Sequence, residues 1–229
     1  MRHLCSVIAT TLLAGTSFAD TYFEDVVINP AGSLDDFGDE IAIDGDTLVI
    51  GQGGDYEAHL PVYIYKRDPG GWLLEGTVQP SGNPADFGSG FGDSIDIDGD
   101  RIIIGDMFDN TDDGAAYLYM KSGGTWELEQ KLVPSAAVGN GMYYGQAVAI
   151  DGEWAMVGAR STGDGVCVYR NTGGGWSEFQ YISDPVDNNG EDGAFGFDLA
   201  MSGSRVLVGT RNTQLGSEYD CVYTFVFDG

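Results

Sequence analysis

The sequence predicts an all-β chain folded as a β-propeller, with four blades of four antiparallel strands each. Three observations carry this prediction: a fifteen-residue pattern that occurs four times, a turn signal at the same place in most copies, and a strand at the start of the chain that its end lacks. Phe37-Gly38-Asp39-Glu40-Ile41-Ala42-Ile43-Asp44-Gly45-Asp46-Thr47-Leu48-Val49-Ile50-Gly51 returns as Phe91-Gly92-Asp93-Ser94-Ile95-Asp96-Ile97-Asp98-Gly99-Asp100-Arg101-Ile102-Ile103-Ile104-Gly105. It returns again from Tyr144-Gly145 through Ile150-Asp151-Gly152 to Gly158, and from Phe195-Gly196 through Met201-Ser202-Gly203 to Gly209. The spacing is a little over fifty residues each time.

Each copy reads as four short strands. In the first, apolar residues alternate, as at Ile41 and Ile43 or Ile95 and Ile97, with small Ala42, Ala149 and Ala200 on the opposite face. The Asp-Gly pairs at 44–45, 98–99 and 151–152 supply the φ > 0 positions of two-residue hairpins. Second strands at Thr47 to Ile50, Ile102 to Ile104 and Val206 to Val208 are apolar enough to be buried on both faces. Third strands follow at Val62 to Tyr65, Ala116 to Tyr119, Val166 to Tyr169 and Cys221 to Tyr223. Fourth strands open at Trp72, Trp126 and Trp176, after glycine turns, and close near Pro80, Pro134 and Pro185.

The fourth copy stops after its third strand, and the missing piece stands at the other end. Thr21 to Pro30 matches Thr125 to Pro134, with the same eight-residue step from aromatic to proline, so this segment is expected to be the outer strand of the last blade. Residues 1–19 have the order of an export signal: Arg2 and His3, an apolar run through Leu13, then Ser17-Phe18-Ala19. The expected organisation is a signal peptide at 1–19 and one domain at 20–229: closing strand 20–35, blade one 36–86, blade two 87–140, blade three 141–191, and blade four, strands one to three, 192–229.

The recurring Phe-Gly, Asp-Gly and Ile-Ile-Gly elements, followed by Ala-Tyr-Leu-Tyr and Gly-Gly-Thr-Trp, resemble the FG-GAP repeat of integrin α-subunit propellers and of secreted bacterial proteins. The resemblance covers nearly all of the chain after residue 19, and implies blades around a central channel with an extracellular adhesive or ligand-binding role. Integrin-type propellers have seven blades, so four repeats mean either a compact four-bladed ring or half of a larger dimeric one. Calcium-binding relatives carry an Asp-rich loop between the first two strands. This chain has only the tight Asp-Gly turn there, so that calcium site does not carry over.

Composition narrows the partners. A formal charge of -26 repels phosphate backbones and anionic lipid, which argues against nucleic-acid or membrane-surface binding and suits either simple solubility or a cationic partner. No stretch after the signal approaches the ~20 apolar residues of a membrane span. The expected location is therefore outside the cytoplasm, extracellular or periplasmic. Cys167 and Cys221 are placed at one position of the third strand in blades three and four. Neighbouring blades hold such positions farther apart than the ~7 Å a disulfide can bridge, so two buried free thiols are expected, with Tyr63 and Tyr117 at the equivalent positions.

The long, variable connections all emerge on one propeller face, where binding residues are expected. Asp106, Asp109, Asp112 and Asp113 cluster oxygen ligands that either hold calcium or form a solvated turn; no other cofactor is indicated. Arg160 and Arg211 follow equivalent glycines and either grip a carboxylate or acidic sugar, or pair with nearby acids. Tyr56, Phe108 and Tyr219 form a partial aromatic set of the kind a lectin-like propeller uses. Asp96 replaces the alanine of the other inner strands, as a channel-lining polar site or as an acceptor of backbone N–H groups. His59 is the only histidine after the signal, which removes any multi-histidine metal centre and leaves one candidate base. The leading expectation is a non-catalytic binding or adhesion module for an extracellular protein or glycan, monomeric or homodimeric. A carbohydrate-binding propeller, a hydrolase and a structural subunit of an extracellular assembly are the alternatives. Deleting residues 20–30 is expected to leave an open strand edge, and static light scattering of the truncated chain should show aggregation.

Overall fold

The computed structural model describes residues 28, 36–52, 60–80, 90–109, 113–133, 143–159, 165–185, 194–211 and 221–227. The expected signal at 1–19 and, apart from Ile28, the closing segment 20–35 lie outside them. Four antiparallel sheets form a four-bladed β-propeller, and strand order within each sheet follows chain order. Blade one holds β1 (Phe37–Asp44), β2 (Thr47–Gln52), β3 (Val62–Asp68) and β4 (Gly71–Val78). Blade two holds β5 (Ser94–Asp98), β6 (Arg101–Asp106), β7 (Ala115–Ser122) and β8 (Thr125–Leu132). Blade three holds β9 (Val148–Asp151), β10 (Trp154–Ala159), β11 (Gly165–Asn171) and β12 (Trp176–Ser183). Blade four contributes β13 (Asp198–Ser202), β14 (Arg205–Gly209) and β15 (Val222–Val226).

The hairpin turns form where the Asp-Gly pairs stand, with one change in the roles of the two residues. Asp44 pairs with Thr47 and Asp98 with Arg101, so the two loop residues are Gly45-Asp46 and Gly99-Asp100. Only the glycines have positive φ, 54° and 57°, the glycine-first pattern of a type II′ turn. The aspartate sits at the strand end instead, which frees its carboxylate. Asp44 Oδ2 accepts the N–H of Gly99 at 2.8 Å, Asp98 that of Gly152 at 2.7 Å, and Asp151 that of Gly203 at 2.8 Å. Each turn is thus tied to the turn of the following blade by a charge-assisted bond.

At the opposite end of the inner strands, backbone meets backbone. A Cβ on Gly51 would stand 2.3 Å from the Gly92 carbonyl oxygen, one on Gly105 1.9 Å from that of Gly145, and one on Gly158 2.2 Å from that of Gly196. Between these fixed points the blades bury apolar side chains. Val49, Val62 and Ile64 pack on Ile95 and Ile97, Ile103 and Leu118 on Val148 and Ile150, and Met156 and Val168 on Leu199 and Val206.

These contacts link blade one to two, two to three and three to four. The seam between blades four and one differs. The inner strands β1, β5, β9 and β13 pack in succession, but β13 and β1 do not meet in the same way. Gly38 has no neighbour within 4 Å of its Cβ position, and Ser202 stands where the other turns have the bridging aspartate. Ile41 and Ile43 are 62% and 61% exposed, whereas Ile95 and Ile97 are each 6% exposed. Two sequence expectations are corrected for this reason. Leu207 leaves β14 covered on one face only, and Cys221 is exposed while Cys167 is buried. The register also shifts: Cys167 lies opposite Val157, and the matching residue of blade four is Tyr223, opposite Val208. Both thiols are free.

Gly38 and Gly145 share the left-handed conformation, φ 95° and 94°, but only Gly145 lies in a made seam. Gly38→Ala is expected to cost about 1–2 kcal/mol of backbone strain. Gly145→Ala is expected to cost about 1–3 kcal/mol more by overpacking, as read from paired urea denaturation curves.

Candidate functional site

The inner strands begin at the end from which the long connections leave, and there residues of all four blades line an open cavity of about 710 Å³. The residue after each Phe-Gly or Tyr-Gly pair points the way in. Asp39 of blade one, Asp93 of blade two, Gln146 of blade three and Phe197 of blade four all stand in its wall, with Glu40, Ser94, Ala147 and Asp198 beside them. Met107 and Phe108, just beyond β6, and Leu199 of β13 supply apolar wall.

Gathering carboxylates of one sign in partial burial raises their affinity for protons. Burial, and then the charges of Asp39 and Glu40, push Asp93 up to about 6. Glu40 is raised by burial and by Asp198 from the far end of the array of blades. Asp96 is raised by burial, which outweighs its bonds from the Ile150 N–H at 2.8 Å and the Ile97 N–H at 2.9 Å. Behind Phe108, Asp106 is fully buried and pushed up to about 7 by burial and by Asp109. Its Oδ1 accepts the Phe108 N–H at 3.3 Å, and Oδ2 has no hydrogen-bond partner among the described residues.

Of the residues expected from sequence to bind a ligand, Phe108 and Asp96 line the cavity. Phe108 meets Tyr143 edge-on, with ring centroids 5.9 Å apart. Asp96 fills both of the roles considered for it, since it lines the cavity while joining β5 to β9 through backbone N–H groups. Arg211 lies with its guanidinium 5.0 Å above the ring of Phe197, itself a wall residue. Arg160, Tyr56, Tyr219, Asp112 and His59 lie outside the described residues. In the acidic loop, Asp109 is buried and held by the Tyr117 hydroxyl and by Lys131 Nζ at 2.8 Å. Asp113 is half-buried, and among the described residues no three acidic, histidine or cysteine side chains gather to hold a metal ion.

Sequence reasoning passed over Asp39, Glu40, Asp93, Gln146 and Asp198. The signal was present: inside an otherwise constant repeat, the two positions after Phe-Gly change from copy to copy, as Asp-Glu, Asp-Ser, Gln-Ala and Phe-Asp. Variation at a fixed structural position marks side chains that the scaffold does not need.

Residues 83–119 and 126–173 match the family model of the FG-GAP repeat, which spans strands of blades two and three. The chain matches no curated protein.

The raised carboxyls set a pH dependence. A folded-state pKa above the unfolded one means stability that is present at low pH and lost as pH rises through the folded value, here about 6 for Asp93 and about 7 for Asp106. The melting temperature is therefore expected to fall by several degrees between about pH 5 and pH 8 at constant ionic strength, at roughly 2–4 °C per kcal/mol. Asp93→Asn, which keeps the shape without the charge, should flatten part of that slope in a calorimetric pH series.

Proposed function

We propose that this chain, a four-bladed β-propeller with two stretches that match the FG-GAP repeat and with blades converging on an acidic cavity, is an exported, non-catalytic binding module whose cavity receives a basic side chain of an extracellular protein partner. The observation that carries this reading is the pairing of carboxylates with apolar surface in one wall. Asp39, Glu40, Asp93, Asp96 and Asp198 surround the space, and Met107, Phe108, Phe197 and Leu199 interrupt them. A lysine or arginine has that composition in reverse, an apolar stem ending in a cation. The carboxylates that resist ionisation next to one another would ionise fully with a cation between them, so ligand binding relieves a cost that folding imposes. The charge of -26 draws cationic partners from a distance and repels anionic ones.

A carbohydrate is the second reading, favoured by one observation: Phe108 in the wall, braced edge-on by Tyr143, offers an aromatic surface beside polar groups. The two readings separate on salt and charge. Immobilised lysine- and arginine-rich peptides are expected to retain the protein, with affinity falling as salt rises, and Asp93→Asn with Asp198→Asn should lower it about tenfold or more. Retention by neutral glycans that survives both substitutions would favour the sugar. Turnover in a screen of polysaccharide and ester substrates would overturn the non-catalytic reading.

A further inference from the structure

The acidic cavity has a cation at its mouth, and the repeat itself puts it there. Gly105 pairs with Ser94 and Gly209 with Asp198, so the residues two places further on, Met107 and Arg211, hold the same position of the repeat. Met107 lines the cavity from blade two. In blade four the guanidinium of Arg211 lies 5.0 Å above the ring of Phe197, another wall residue. The chain has 36 acidic residues against 10 lysines and arginines, so carboxylates are in large excess, and Arg101, Lys121, Lys131 and Arg170 each hold one. Arg211 is ion-paired with none among the described residues, although Asp198 follows Phe197 in the chain. A guanidinium over an aromatic face keeps the N–H donors along its edge for a planar anion, in the fork that matches a carboxylate.

The two sides of the site call for opposite charges. Asp39, Glu40 and Asp93 line the space from blades one and two, and Arg211 stands at the rim on blade four. A ligand that is only a cation would be attracted by the acids and repelled by Arg211. A ligand that carries a carboxylate as well satisfies both, and its own anion offsets that repulsion. The two charges must be joined by an apolar stem, which Met107, Phe197 and Leu199 can cover.

We propose that the cavity takes the C-terminal lysine or arginine of a polypeptide, with the side-chain cation among Asp39, Glu40 and Asp93 and the α-carboxylate on Arg211. The inference rests on the reading of the cavity as a site for a basic side chain, and adds where in the partner that side chain stands. An α-carboxylate is joined to the stem through Cα, so a single residue presents both charges and little further chain has to be ordered. A lysine followed by an acidic residue would have a second long side chain to immobilise. Free lysine would bring its α-ammonium to the rim beside Arg211, where like charges oppose. A terminal residue in peptide linkage has neither disadvantage.

Three N-acetylated peptides with one lysine each test this by surface plasmon resonance on the full chain. The first ends in lysine with a free carboxylate, the second is the same peptide amidated, and in the third two glycines follow the lysine. The first is expected to bind about tenfold tighter than the other two, the scale of one charge-assisted bond. In Arg211→Gln that preference should vanish, the free acid binding more weakly and the amide about twofold more tightly as the repulsion goes. Opposite movement of the two ligands separates this effect from a loss of fold. Arg211→Lys, which keeps the charge without the fork, should restore part of the preference. Equal binding of all three peptides by the native chain would overturn the inference and leave the basic-side-chain reading standing. A preference that survives Arg211→Gln would overturn it in the same way. If none of the three binds, that reading falls and the inference with it.

Discussion

Three pairs of glycines hold the blades at their spacing. Where Gly105 faces Gly145, a side chain of any size would stand inside van der Waals contact with a carbonyl oxygen, and the same holds for Gly51 with Gly92 and Gly158 with Gly196. The backbones touch there because nothing intervenes, and the aspartate-to-glycine bonds at the opposite end of the inner strands fix the second point of each seam. Two fixed points set the tilt of one blade on the next. The apolar layers between them then have one way to interdigitate, and small inner-strand residues such as Ala149 leave the room they need.

The electrostatics of the cavity follow from the same constraint. Because each blade starts its inner strand beside the glycine contact, the residues immediately after that glycine converge on one axis whatever their identity. Aspartate and glutamate at those positions crowd like charges into partial burial, and their proton affinities rise as a result. The scaffold thus stores unfavourable charge at the place where a cation would be most welcome, while Asp96 spends part of its own charge on N–H groups of two blades.

Much of the fold was legible in advance. The repeat located the strands of blades one to three, the places of the hairpin turns, and the aromatic openings of the outer strands, because those features depend on local backbone geometry and on periodicity. What it did not reveal was the work of Asp44, Asp98 and Asp151, read as turn residues and found to be ties between blades. The exposure of Cys221 and Leu207 was also hidden, since burial of a strand depends on whether a neighbouring sheet arrives. Asp96, singled out as an exception within the repeat, and Phe108, singled out as a loop aromatic, line the cavity, while Asp39 and Asp93 were overlooked because they look like part of the repeat.

The sequence by itself determined the unit: its strands, its turns, its glycines and the number of copies, all of which are written at short range. Only the tertiary structure decided how the units meet. Whether Ile41 is core or surface, and whether an aspartate lies alone or against Glu40 and Asp198, depends on the angle accumulated over several seams. That angle is a sum over contacts between residues some fifty positions apart, and no local pattern in the chain records it.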